Sequence, residues 1–258
     1  MKTLTIIIIS AMLFGLTPAF AQNAHFTNSG VIEYEKSVNM FALLKKQVDQ
    51  YKDDSFLEQA YEQYRKNQPQ FKKLKSTLSF TDNKTKFVPA EADDSRSFFG
   101  NNAMVSQNNT VFSDYNTHSV TEQKSVFEET FLLKDSTRKI HWKITDETRE
   151  IAGFMCRRAN AIMLDSIYVV AFYAERIPTP GGPESFCGLP GMILGVALPH
   201  ENITWFATKV TENVPDSKSM APPKKGRATD TKGLRETLDR AIKDWGNWGQ
   251  VYFKAFLL

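Results

Sequence analysis

Apolar and polar residues alternate in short bursts along most of the chain. Gly30-Val31-Ile32-Glu33-Tyr34-Glu35 alternates from Ile32 onward, which predicts a strand with Ile32 and Tyr34 on one face. The block from Met40 to Lys75 has a different period. Ser55-Phe56-Leu57-Glu58 has capping-box spacing, and Phe56, Leu57, Ala60, Tyr61 and Tyr64 then recur on one helical face. One or two helices are therefore inserted near residues 40–75, ending at Pro69. Beyond it the pattern returns to β. Thr77-Leu78-Ser79-Phe80 and Thr85-Lys86-Phe87-Val88 flank a turn at Asp82-Asn83, a hairpin signal. Further strands are expected at Thr110 to Tyr115, Ser125 to Leu133, Phe154 to Met163, Ile167 to Ala174, Met192 to Leu198 and Ile203 to Val210. Asn101-Asn102 and Gln107-Asn108-Asn109 read as turns. Lys139 to Ile144 alternates strictly, with Ile140, Trp142 and Ile144 expected inward.

Short strands at close spacing predict an antiparallel meander. Strands twist, so a long sheet must curl. The expected fold is mainly β (α+β): a curved, bowl-like or half-barrel sheet, with helices near residues 40–75 and an amphipathic helix near the C-terminus. That last helix is predicted from Thr231 to about Trp245, with Leu234, Leu238, Ala241, Ile242 and Trp245 as its apolar stripe. Before it, Asp216 to Asp230 reads as a connector. After it, Val251 to Leu258 is unusually apolar, an added edge strand or an exposed tail.

The N-terminus stands apart. Lys2 precedes a twelve-residue apolar run, Thr5 to Leu16, and Ala19-Phe20-Ala21 offers small residues where a signal peptidase reads. A bilayer span needs about 20 apolar residues, so this run is short for an anchor. Residues 1–21 are expected to be a signal peptide cut between Ala21 and Gln22. Residues 22–258 are left as one exported domain. No later segment is apolar enough to span a membrane. The net charge of +3 is modest and its cations are interspersed with acids, which gives no reason to expect nucleic acid. The short basic run Pro222 to Arg227 reads as a solvated loop.

Two cysteines remain, Cys156 and Cys187. An even count in an oxidising compartment predicts a disulfide. Its loop of about thirty residues would be worth roughly 3–4 kcal/mol. Free or metal-binding thiols are the alternative.

The chain lacks a G-x-S-x-G elbow, an H-E-x-x-H pair and a Walker loop. His25, His118, His141 and His200 are scattered, and a metal site would need them to converge. Glu91-Ala92-Asp93-Asp94 could chelate a cation but reads first as a solvated loop. Asp146-Glu147 and Glu128-Glu129 are adjacent and would point apart on strands, poor geometry for acid–base work. Trp142, Phe154, Phe172, Tyr173, Trp205 and Phe206 read as core rather than as a sugar platform. Catalytic, cofactor and metal residues are therefore expected to be absent.

One stretch is unusual. Gly181 to Val196, GGPESFCGLPGMILGV, holds five glycines and two prolines in sixteen residues. It does not fit G-x-G-x-x-G. Gly191 suits a positive φ before the next strand, so Gly182, Pro183, Gly188, Leu189, Pro190 and Gly191 read as a structural corner. Gly188-Leu189-Pro190-Gly191-Met192-Ile193-Leu194, preceded by Ile177-Pro178 and Gly182-Pro183, resembles the signature of the GLPGLI family, also called Porph_ging. The likeness extends to the first strand, to Trp142-Lys143-Ile144, to Ile151 through Cys156 with Ala159, to Ala171-Phe172-Tyr173 and to Pro223 through Gly226. Phe172 stands where tryptophan is usual, Met192 where leucine is, and Gly195 at a commonly acidic position. The resemblance implies an exported Bacteroidetes protein of the periplasm or outer envelope, often beside TonB-dependent outer-membrane uptake. It implies a sheet similar to bowl-like β domains, such as one preceding the catalytic part of some glycan amidases. It supplies no catalytic residues. The expected function is a non-enzymatic envelope binding or accessory protein. Its expected partner is an envelope protein, or an apolar ligand in the sheet concavity. A metal-handling protein of an uptake system is the alternative, and an unrecognised hydrolase a third reading.

Overall fold

The computed structural model describes residues 25–50, 55–90, 103–106 and 109–258. The signal segment with its Ala21/Gln22 boundary, the acidic Glu91–Asp94 and the turns at Asn101-Asn102 and Gln107-Asn108 lie outside the described residues.

Twelve strands form one sheet: β1 (Ser29–Asn39), β2 (Phe71–Thr81), β3 (Lys84–Pro89), β4 (Asn109–Asp114), β5 (Ser119–Val126), β6 (Glu129–Ser136), β7 (Lys143–Ile151), β8 (Phe154–Met163), β9 (Ile167–Ala174), β10 (Met192–Leu198), β11 (Ile203–Thr211) and β12 (Arg227–Thr229). The order is β12-β6-β5-β4-β3-β2-β1-β11-β10-β9-β8-β7. Two five-strand meanders thus flank β1, and every pairing is antiparallel except β12 with β6. Among the described residues, four α-helices join them: α1 (Met40–Gln50), α2 (Ser55–Asn67), α3 (Thr231–Ala241) and α4 (Gly246–Leu257).

The connection from β6 to β7 shows that the sheet is bent. These strands lie ten positions apart, which at strand spacing is about 48 Å across a flat sheet. The chain between Ser136 and Lys143 can span only roughly 25 Å. The two ends must therefore curl toward each other. The sheet stays open and does not close into a barrel.

The predicted hairpin at Asp82-Asn83 is present, with φ of 48° and 59° at its two corner residues, as a type I′ turn requires. Several expectations are corrected. Ser125 to Leu133 is not one strand. It holds the end of β5, a turn and the start of β6, with Ser125 paired to Thr130. The apolar run is continuous because both arms of the hairpin put side chains into the same core. Lys139 to Trp142 is likewise not a strand, because this segment crosses the bowl between the sheet's ends. Ile140 and Trp142 still pack on the core, whereas Ile144 is 40% exposed. The apolar tail is helix α4, neither edge strand nor exposed. The preceding helix α3 stops at Ala241, Gly246 turns the chain with φ 53°, and Trp245 remains 44% exposed. Leu234 and Leu238 of α3 pack with Phe256 and Leu257 of α4 on Phe131 and Leu133. The first part of the expected connector supplies no strand, but its end adds β12 to the sheet edge.

Burial alternates strictly along β1: Ile32, Tyr34, Lys36 and Val38 all point into the bowl. Register carries this inner face across the sheet. Lys36 opposes Trp205, and Tyr34 opposes Ser76 and Ala207. The same phase runs through Phe87, Val111 and Glu122 to Leu133. Helices α1 and α2 cover one end of this face with Met40, Leu43, Leu44, Tyr61 and Tyr64.

Candidate functional site

The glycine-rich stretch leaves β9 and runs over the inner face before becoming β10. Its backbone is tied down throughout. Met192 N donates to Ile177 O at 2.8 Å, Gly188 N to Pro180 O at 3.0 Å and Ile193 N to Gly181 O at 2.8 Å. Phe186 is driven into the bowl against Trp205, the rings 5.9 Å apart at 61°. Trp142, on the crossing segment, donates its indole N–H to Cys187 O at 2.9 Å. Two glycines make this path feasible. A Cβ on Gly182 would lie 2.8 Å from the Ile193 Cβ. At Gly191, with φ 157°, it would fall on the Ala174 carbonyl. Gly182, Pro183 and Leu189 are buried, while Gly188 and Pro190 are exposed. The motif is a plug over half of the bowl, larger than a corner between strands.

Cys156 and Cys187 are not bonded to each other; both are free and buried. Cys156 belongs to the cluster with Ile151, Ala174 and Met192. Cys187 points elsewhere, its Sγ 3.4 Å from the Arg138 carbonyl. Burial pushes the Cys156 thiol up to about 12 and the Cys187 thiol up to about 11. The expected disulfide is therefore corrected: each sulfur has its own neighbours. A bond would require the two Cα atoms to lie within about 7 Å with facing Cβ vectors.

Beyond the plug, the inner face carries charge. Lys36 is 3% exposed and donates to Met104 O at 3.0 Å and Ser106 O at 3.1 Å, with its ammonium 4.9 Å from the Trp205 ring. Desolvation lowers its pKa to about 8, with Glu184 acting against that shift. Glu184 sits in the plug with φ 52°, accepts from Asn109 Nδ2 at 3.0 Å, and has its pKa raised, chiefly by burial. Glu122 and Lys124 are both buried and lie 3.5 Å apart.

These charges meet the end of α4. Lys124 Nζ donates to Phe256 O at 2.9 Å, Arg138 Nη2 to Leu257 O at 2.8 Å, and Ser185 Oγ to Leu258 O at 3.0 Å. The last carbonyls of a helix lack intrahelical donors and carry partial negative charge. Two cations and a hydroxyl suit that end.

Between the β4–β6 wall, α3, α4 and the plug lies a cavity of about 290 Å³. Val120, Leu133, Leu164, Leu234, Phe256 and Leu257 give it an apolar body. Lys124, Arg138, Lys139 and Arg235 line it as cations, against Glu122 and Asp135 as anions. Asp135 is engaged by the backbone, accepting from Ser136 N at 2.7 Å and Thr231 N at 3.2 Å. Hydrogen bonding at Thr231 holds its carboxyl below the usual range.

The four histidines do not converge. His25 bonds Glu212 at 2.7 Å, His200 lies 6.3 Å from the Tyr168 ring, His118 occupies the β4–β5 turn with φ 53°, and His141 is exposed. Among the described residues, no group of three His, Cys, Asp or Glu side chains is placed to hold a metal. Nor, among them, is any helix long and apolar enough to cross a membrane. Tyr173 and Trp205 are core, whereas Phe172 and Phe206 stack 6.4 Å apart with Arg149 4.8 Å from Phe206.

The model of the family Porph_ging, a protein of unknown function, matches residues 163–195. That match supports the GLPGLI family. It covers β9, the plug and most of β10, the segment that the signature marked. No curated protein matches the chain. Among solved structures, PNGF-II in space group C2 is similar over 81% of this chain, with a TM-score of 0.52 and 14% identity. PNGF-II in space group P21 gives a TM-score of 0.51 and 15% identity over 81% of this chain. This chain spans 32% and 33% of those two chains. At such identity the likeness concerns the fold alone. The GLPGLI signature thus marks the plug, while the cavity is assembled largely outside it.

Residue-type motifs did not reveal Lys36, Glu122, Lys124 or Arg138. A signal for three of them was present. Lys36 falls in phase with Ile32, Tyr34 and Val38, and Glu122 and Lys124 in phase with Val120 and Val126. A charge at an inward position of an alternating strand is costly unless partnered, so it points to an inner polar site.

Proposed function

We propose that this chain is a non-enzymatic binding or accessory protein of the cell envelope, exported by residues 1–21, that holds a small ligand in its concave sheet. The cavity carries the reading: about 290 Å³, framed by apolar side chains with a few polar groups at defined positions. This is the usual build of a small-molecule site, at the small end of its size range. Export and the envelope setting, including any tie to TonB-dependent uptake, rest on the N-terminal pattern and the family resemblance.

The candidate nucleophiles on the cavity wall are quiet. The Cys187 thiol is pushed up to about 11, and nucleophilic cysteines need the opposite shift. The Ser185 hydroxyl donates its hydrogen bond to Leu258 O. Asp135 is held ionised, unlike a general acid, which needs its pKa raised toward neutrality. These features favour binding over turnover.

Native mass spectrometry of protein purified gently from its own envelope tests the reading. A bound species of small mass, lost when Val120→Phe fills the cavity, is expected. A ligand retained unchanged in that variant would contradict the cavity as its site.

A further inference from the structure

The cavity's charges are unevenly satisfied, and this defines a ligand class. Glu122 is paired with Lys124, and Asp135 is engaged by backbone donors. Arg138, Lys139 and Arg235 line the same cavity; among the described residues none forms an ion pair, and the Glu122 carboxylate acts on Arg138 only through space. Arg138 uses one hydrogen bond, to Leu257 O, although a guanidinium has five N–H donors. Arg235 lies 5.1 Å from the Phe253 ring and is exposed. Three cations outside any ion pair among the described residues, Lys139 and Arg235 at the exposed rim and Arg138 deeper, therefore border a largely apolar space.

We infer that the cavity binds a single-headed organic anion with a short apolar body, its carboxylate facing Arg138 and flanked by Lys139 and Arg235. This rests on the reading of the cavity as a binding site. An arginine fork matches a carboxylate bidentately, and such charge-assisted bonds are about twice as strong as neutral ones. Size sets the rest. At roughly 30 Å³ for each water-sized group, the space takes about ten non-hydrogen atoms, the count in an eight-carbon acid. Val120, Leu133, Leu164 and Leu234 would surround the chain of that acid.

Isothermal titration of the purified chain with octanoate, octanol, octylamine and acetate tests the inference. Octanoate is expected to bind at least about tenfold more tightly than octanol, a difference of roughly 1.4 kcal/mol, with octylamine and acetate weaker still. Arg138→Gln should lower octanoate affinity about tenfold and leave octanol unchanged. Should that variant fail to fold, Arg235→Gln gives the same comparison while keeping the Arg138 hydrogen bond to Leu257 O. Equal binding of octanoate and octanol, insensitive to the arginines, would overturn the anion inference and leave the binding reading standing. No binding by any of the four would overturn both.

Discussion

The two halves of the bowl are closed by different means. Over β9–β11, and reaching Asn109 at the start of β4, the glycine-rich plug lies directly on the sheet, its backbone satisfied largely by its own turns and Phe186 sunk against Trp205. Over β4–β6, α3 and α4 form the cover, held partly through Lys124, Arg138 and Ser185, and a cavity remains beneath them. Close-packed backbone leaves no room for a ligand. A helical cover resting on long side chains does. The half with the recognisable motif is thus the one built for shape, and the half without a motif is the one with chemistry to offer.

Several substitutions would break or sharpen this contrast. The largest effect is all-or-none: denatured, unreduced protein should titrate two thiols with a chromogenic reagent, whereas a Cys156–Cys187 clamp on the plug would give none. Next, Gly191→Ala should destabilise by about 4 kcal/mol in urea titration, because it adds a glycine-only conformation to a clash with backbone. Gly188→Ala, at φ 93° but with only the Trp142 indole nearby, should cost about 1 kcal/mol. Equal losses at both would mean that the plug is not packed as described.

Lys36 tests the charged interior. Its folded pKa lies below its unfolded value of 10.5, near 8. Below pH 8 both states are protonated and the native state bears the whole desolvation cost. As pH rises from 8 to 10.5 the native state sheds its proton first, so the unfolded state binds more protons and stability rises. The stability of wild type minus that of Lys36→Met should therefore increase by about 3 kcal/mol across this window. A flat difference would place Lys36 in contact with water. The smallest effect is expected at Val120→Phe: a stability change within about 1 kcal/mol, because the ring enters existing space, together with loss of octanoate binding.

Much of the architecture was legible in the alternation. Phe154 to Met163, Ile167 to Ala174 and Met192 to Leu198 are strands with the expected bounds. Failures occurred where tertiary structure overrides local pattern. Ile140 and Trp142 are apolar because they cross a core, and the alternation that they share with Ile144 mimics a strand. Val251 to Leu258 is apolar on nearly every residue, so its period is silent, and only the bowl beneath makes it a helix. The cavity was hidden for another reason. Its wall draws on residues 113–139, 164, 185–187, 231–235 and 256–257. Those positions meet only because the sheet's ends curl together. Charges in phase with the inward apolar positions, at Glu122 and Lys124, were its local trace.

The contrast between a packed plug and a ligand-accepting cover is most directly tested by hydrogen exchange with and without octanoate. That contrast predicts slow exchange at Gly188, Gly191, Met192 and Ile193 in both states, since each donates to a backbone carbonyl. It predicts new protection with octanoate confined to residues 231–257 and the crossing segment 137–142. Fast exchange in the plug, or protection arising on the outer face near Phe172 and Phe206, would contradict it.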